Sequence, residues 1–237
     1  MPLTRIGVIF DGDDTLWETQ PLYVAAKSRF FREMSYAGFP PHEVERRFES
    51  IDRANVSTFG FSKHRFPQSM WDTYSALCAD YAMRFDDGKA AHFRSIGESV
   101  FQTTPPLFDG VLEVLSELQS LHMMLILATK GDPVIQQHKV EASGLAPYFD
   151  RIYVVPDKNT REFTRIVTEC QLDVRGSWSI GNSVRADINP ALAVGLNTIW
   201  IPNTTWDHED EEPISNERFH RALSIKDVPL IIISRQR

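Results

Sequence analysis

The sequence predicts an α/β protein: a doubly wound parallel sheet with a helical module inserted after the first strand. Three observations predict it. Short β-branched and apolar runs recur at residues 6–10, 123–128, 151–155, 178–180 and 197–201. From the second run onward, stretches of helical period separate them, the alternation that builds parallel sheets. Between the first two runs, residues 17–104 carry helical period and no convincing strand.

In chain order, Ile6-Gly7-Val8-Ile9-Phe10 reads as a buried strand. It stops at Asp11, Asp13 and Asp14, three carboxylates within four positions. Like charges at the mouth of a core strand cost free energy, and a bound cation is the usual compensation. Gly12 is expected to let the backbone turn tightly between the first two acids. In the inserted block, Tyr23, Ala26, Phe30 and Met34 follow one helical face, and Val44, Phe48 and Ile51 a second. Met70, Tyr74, Leu77 and Tyr81 follow a third, and Phe93, Ile96 and Val100 a fourth. Glycine- and proline-bearing breaks at 38–41, 57–67 and 86–88 separate these helices. The expected organisation is a core of residues 1–16 and 105–237 and a helical cap of residues 17–104.

Thr103-Thr104-Pro105-Pro106 leads back to the core. Val111, Val114, Leu115, Leu118 and Leu121 then mark an amphipathic helix. The second strand ends at Thr129-Lys130-Gly131-Asp132, and a helix over 133–143 closes at Gly144. The third strand ends at Pro156-Asp157-Lys158, and the spacing of Phe163, Ile166, Val167 and Cys170 predicts another helix. The fourth strand ends at Gly181-Asn182. The helix after it takes Asn189 as N-cap, Pro190 as its first residue and Gly195 beyond its end. After the fifth strand, residues 207–212 read as a solvated acidic loop and 230–233 as a final apolar packing segment.

Ligands of such sheets gather at the carboxyl ends of the strands. Asp11, Asp13, Thr129, Lys158, Asn182 and Asp187 should therefore meet at one edge. Composition narrows the partners. A net charge of −7 argues against nucleic acid and anionic membranes. No apolar run is long enough to span a bilayer, and the first residues lead straight into a strand, leaving no room for a signal peptide. Cys78 and Cys170 lack metal-like spacing and fit reduced core thiols in the cytoplasm. The histidines show no paired ligand spacing, which argues against zinc.

These motifs resemble those of the haloacid dehalogenase-like hydrolases, specifically the phosphatase branch with a helical cap. Asp11, Asp13 and Thr15 match Asp-x-Asp-x-Thr, Thr129 the second motif and Lys158 the third. Residues 181–187 match the fourth, Gly-Asp followed five residues later by Asp, with Asn182 standing in for the usual Asp. The resemblance implies a Rossmann-like core and a Mg²⁺-dependent phosphatase acting on a small phosphorylated metabolite. It implies Asp11 as nucleophile and Asp13 as acid and base. Thr129 would bind phosphate, with Lys130 a further candidate contact, and Lys158 would screen charge. Mg²⁺ would sit among Asp11, the Asp13 carbonyl, Asn182 and Asp187, with Asp11 staying ionised. Asn182 brings an oxygen but no charge, so weaker Mg²⁺ affinity is expected.

Dehalogenases of this family lack the second aspartate, so Asp13 argues against that class. A phosphomutase, or a binding protein that has lost turnover, remain the alternatives. Lys130 also reads as an exposed loop lysine, His64 and Arg65 as a surface basic pair, and Asp14 as a solvated or turn-stabilising acid where many relatives carry Gly. Trp17 reads either as a lining of the cap entrance or as hinge packing.

Overall fold

The computed structural model describes residues 5–203 and 211–235, so residues 207–210 of the acidic loop lie outside the described residues. The chain divides into two units, Gln20–Thr104 and Met1–Thr19 with Pro105–Arg237.

The unit of residues 20–104 is four helices: α1 (Gln20–Tyr36), α2 (Pro41–Phe59), α3 (Arg65–Asp80) and α4 (Asp87–Glu98). Pro41 opens α2, where its missing N–H costs nothing. Asp86 caps α4 by accepting from the Lys89 N–H at 3.0 Å. The periodic residues face inward: Phe30, Phe48, Met70, Leu77 and Phe93 are buried together. Their rings meet edge-on, Phe30 and Phe93 at 5.4 Å and 80°. Arg65 departs from the expected surface pair. It is buried and ion-paired to buried Asp52, which also accepts from the Ser69 hydroxyl at 2.8 Å. A charge inside this helical core is tolerable because its counter-charge is there too.

The other unit is a six-stranded sheet: β1 (Gly7–Phe10), β2 (Met124–Lys130), β3 (Arg151–Val155), β4 (Trp178–Gly181), β5 (Asn197–Trp200) and β6 (Phe219–Arg221). All pairs are parallel, in the order β3-β2-β1-β4-β5-β6. This is the doubly wound arrangement expected. The chain steps outward from β1 to β3, then returns to place β4 on the other side of β1. The carboxyl ends of β1 and β4 thus flank the point where strand order reverses, the place where such sheets open a crevice. β6 went unseen in the sequence. Its three residues, Phe219-His220-Arg221, form no apolar run and become a strand only by pairing with β5.

Two layers of helices cover the sheet: α5 (Val111–Ser120), α6 (Pro133–Ala142), α7 (Thr160–Glu169), α8 (Asn189–Val194) and α9 (Val228–Arg235). Strand residues alternate between the layers. Val8, Phe10, Leu125 and Leu127 join a core with residues of α5, α6 and α9. Ile9, Met124, Ile126 and Ala128 join another with α7 and α8. Both faces being buried explains why the strands read as unbroken apolar runs. The segment 230–233 lies in α9, whose Val228 and Ile232 are buried.

The stretch before α8 differs from expectation. A π-helical turn, Val184–Ile188, precedes the α-helix, so Asn189 is its first residue and not its cap. The Asn189 side chain instead accepts from the Ile214 N–H at 3.0 Å. Among the described residues, no helix is long and apolar enough to cross a membrane. Cys78 and Cys170 are both free and buried.

Leu125 lies on the interior strand β2, opposite Val8 of β1, and is fully buried. Leu125→Ala should lower the unfolding free energy of the sheet unit by about 2–5 kcal/mol, through lost transfer energy and the cavity left behind. Urea denaturation followed by circular dichroism measures this.

Candidate active site

β1 passes into a tight loop whose hub is the Gly12 carbonyl, which accepts from the N–H groups of Thr15, Leu16 and Trp17 at 3.2, 2.8 and 3.3 Å. Gly12 is needed here for space more than for its freedom to turn. A Cβ on it would stand 2.5 Å from the Trp17 ring. The left-handed residue is Asp14, at φ 59°. Asp14 is buried, and its carboxylate accepts from the Thr19 N–H at 2.9 Å and the Thr19 hydroxyl at 2.7 Å. It is therefore the turn-stabilising acid of the two expected readings, and those bonds hold a conformation that costs a non-glycine residue about 1–2 kcal/mol.

Asp11, at the end of β1, donates its N–H to the Ile180 carbonyl of β4 at 2.9 Å. This ties the two strand ends together across the switch point. Lys158 reaches in from the segment after β3 and bridges the carboxylates of Asp11 and Asp187, the latter at 2.5 Å. All three are buried. The other Asp11 oxygen accepts from the Thr15 hydroxyl at 3.0 Å, and the Asn182 amide oxygen stands 3.5 Å from that hydroxyl. Asp187 sits in the π-helical turn and accepts from the Ser183 N–H at 3.0 Å. A Cβ on Gly181 would stand 2.2 Å from the Asp187 carboxylate, so only glycine lets that acid lie against the end of β4.

Asp11, Lys158, Asn182 and Asp187 thus converge around one spot. Thr129 lies next door: its hydroxyl is 3.3 Å from where a Gly12 Cβ would stand. That hydroxyl is buried and without a hydrogen-bond partner among the described residues. Lys130, the last residue of β2, is half-buried, which does not match a fully exposed loop lysine.

The Asp13 side chain points elsewhere, toward α6. Lys139 donates to both of its oxygens at 2.8 Å, Gln136 to one at 2.9 Å, and the Trp17 indole to the other at 2.5 Å. Sequence reasoning missed Gln136 and Lys139. Their spacing of three puts them on one face of α6, but a helix face bearing Gln and Lys ordinarily faces water. Both are buried here. Trp17 is neither of its expected roles alone: it packs in the sheet unit's core and also bonds Asp13.

The electrostatics separate the two acids. Burial pushes Asp11 up; Lys158 pulls it down and Asp187 pushes it up again, leaving it near 7. Burial would also raise Asp13, but the Lys139 ammonium and the donors around it hold it below its ordinary value. Burial would lower Lys158, yet the two carboxylates outweigh this and raise it. The sequence reading has Asp11 ionised with Mg²⁺ bound beside it. Among the protein's own groups the proton is held more readily by Asp11, which is buried and shares Lys158 with Asp187, than by Asp13, which has Lys139 to itself.

The donors present suit a hard cation. Oxygens of Asp11, Asn182 and Asp187 converge, and Mg²⁺ takes one or two carboxylates plus water and substrate oxygens. Among the described residues no three of His, Cys, Asp and Glu gather as a ready-made metal cage. A cavity of about 240 Å³ lies at the opposite edge, by the amino ends of β4 and β5, where no motif residue falls.

Asp11's raised value sets a pH dependence. Its stabilising contribution is complete below about pH 4 and is lost as pH rises through about 7. In chelator, wild type should lose stability over that window relative to Asp11→Asn, as read by urea denaturation at several pH values.

Comparison with known proteins agrees with the motifs. A solved haloacid dehalogenase-like family hydrolase from Xanthomonas campestris is 27% identical, with TM-score 0.80, over 100% of this chain and 97% of that one. YfnB of Bacillus subtilis is 26% identical over 82% of this chain and 83% of its own; its structure bound to magnesium superposes with TM-score 0.66. The glyceraldehyde 3-phosphate phosphatase of Pyrococcus abyssi is 22% identical over 82% of this chain and 80% of its own. The haloacid dehalogenase-like hydrolase pattern matches residues 8–201. With strand order, motif positions and this match in agreement, the chain belongs to the haloacid dehalogenase-like hydrolases and is an enzyme of that family.

Proposed function

We propose that this enzyme is a Mg²⁺-dependent phosphatase that hydrolyses a small, phosphorylated metabolite through an aspartyl-phosphate. The observation that carries the reading is the buried, unpartnered hydroxyl of Thr129 beside the loop that presents Asp11 and Asp13. A phosphoryl oxygen is the acceptor such a donor lacks. The likeness to a phosphatase of a small sugar phosphate supports the substrate class. Free, buried cysteines suit a cytoplasmic setting.

Asp11 attacks phosphorus as the ester P–O bond breaks, and Asp13, having taken up a proton from solvent against the pull of Lys139 as the charged ester binds, gives it to the departing oxygen. Asp13 then takes a proton from the water that opens the aspartyl-phosphate, which restores Asp11 and frees phosphate. Thr129 donates to a phosphoryl oxygen throughout, with Lys130 as a further contact at the same strand end. Lys158 holds Asp11 in place and offsets charge. Asp11, the Asp13 carbonyl, Asn182 and Asp187 would hold Mg²⁺, which when bound offsets the charge shared by Asp11 and phosphate. Asp13 speaks against halide displacement, which needs no proton on the leaving group.

Hydrolysis of an aryl phosphate should vanish with Asp11→Asn and with chelator. Asp13→Asn should slow turnover by about 10²–10⁴-fold. Wild-type activity that survives Asp11→Asn would overturn the reading. Asn182→Asp should lower the magnesium concentration for half-maximal activity, because it adds a charge to the donor set; an unchanged titration would remove Asn182 from the site.

A further inference from the structure

The structure assigns a positioning role to Lys139 and Gln136: with Trp17 they form a cradle that fixes where the Asp13 carboxylate stands. This rests on the reading of Asp13 as the group that exchanges a proton with the ester. Lys139 spans both carboxylate oxygens, so it fixes the rotation of the carboxylate as well as its place. Gln136 binds one oxygen and also donates to the Lys130 carbonyl at 3.1 Å, so the cradle is tied to the end of β2, one residue beyond Thr129. Trp17, from the same loop, binds the other oxygen.

Holding these side chains in place is costly. Lys and Gln lose much rotamer freedom when ordered, and a buried ammonium must recover its lost hydration. Both are buried, and among the described residues every hydrogen-bond partner of the Lys139 ammonium is an Asp13 oxygen. The Gln136 amide oxygen is itself buried without a partner among the described residues, so its amide is held for what its nitrogen does. A methionine at 139 would fill the same space without the ion pair. The chain instead spends two long polar side chains on an acid whose backbone is already fixed by the loop. Orientation of the proton-transferring oxygen is what these contacts add.

The test compares p-nitrophenyl phosphate with phenyl phosphate, whose leaving group needs protonation more. The readout is kcat/KM, which reports ester cleavage. Lys139→Met should lower kcat/KM for phenyl phosphate by about 10–100-fold, the scale of losses from misplacing a catalytic group. It should change the p-nitrophenyl value several-fold less, with the melting temperature reported alongside. Lys139→Arg should recover most of the difference between the two esters. Should Lys139→Met fail to fold, Gln136→Leu carries the test, with a smaller loss in the same direction. An equal loss on both esters, or none, overturns the cradle provided Asp13→Asn does separate them. If Asp13→Asn fails to separate them, or wild type cleaves neither ester, the reading of Asp13 falls and the cradle with it.

Discussion

The ammonium of Lys158, buried between the carboxylates of Asp11 and Asp187, is the interaction on which the rest of the sheet unit's polar edge depends. It joins the ends of β1, β3 and β4 through one atom. Two buried acids near each other repel, and the cation between them offsets that repulsion. A buried ion pair adds little net stability, but removing one partner leaves charge stranded in the core and costs several kcal/mol, about 3–5. The triad is therefore a constraint on geometry more than a source of stability. It holds because Gly181 makes room for Asp187 and because the π-helical turn aims that side chain back at the strand ends. Such turns occur often at functional sites.

The loop after β1 shows a second use of charge. Asp11, Asp13 and Asp14 are neighbours in sequence, yet each has its own counter-partner: Lys158, Lys139 and the Thr19 end of the loop. Alternation along the chain sends them in different directions, so their mutual repulsion is spread over three sets of donors. The acid that shares a cation holds its proton more readily than the acid that has one to itself, and a nucleophile and a proton carrier need different affinities. On the proposed reading the roles need the opposite order, an ionised Asp11 and a protonated Asp13, which Mg²⁺ bound beside Asp11 and the phosphate charge facing Asp13 would supply.

Most of the site was legible because its residues stand at strand ends. An apolar run that stops abruptly at Asp11, Thr129 or Lys158 marks both the strand and the polar residue that closes it. The missed parts have a common cause. Gln136 and Lys139 look like solvent-facing residues of α6, and only the fold shows that this face is covered. Arg65 looks like a surface residue and is instead neutralised within the helical unit by Asp52, thirteen positions earlier. β6 lacks an apolar run because an edge strand of three residues needs only backbone partners.

The sequence by itself determined the strand and helix alternation, the parallel sheet and the list of polar residues at its carboxyl edge. These follow from hydrophobic period and from the rule that parallel strands carry their connections on the faces. Tertiary structure alone decided which acid meets which cation, why Gly12 and Gly181 must be small, and which way Asp13 turns. Those outcomes depend on distances between residues up to 147 positions apart, as between Asp11 and Lys158. Local propensity carries no information about such distances; packing does.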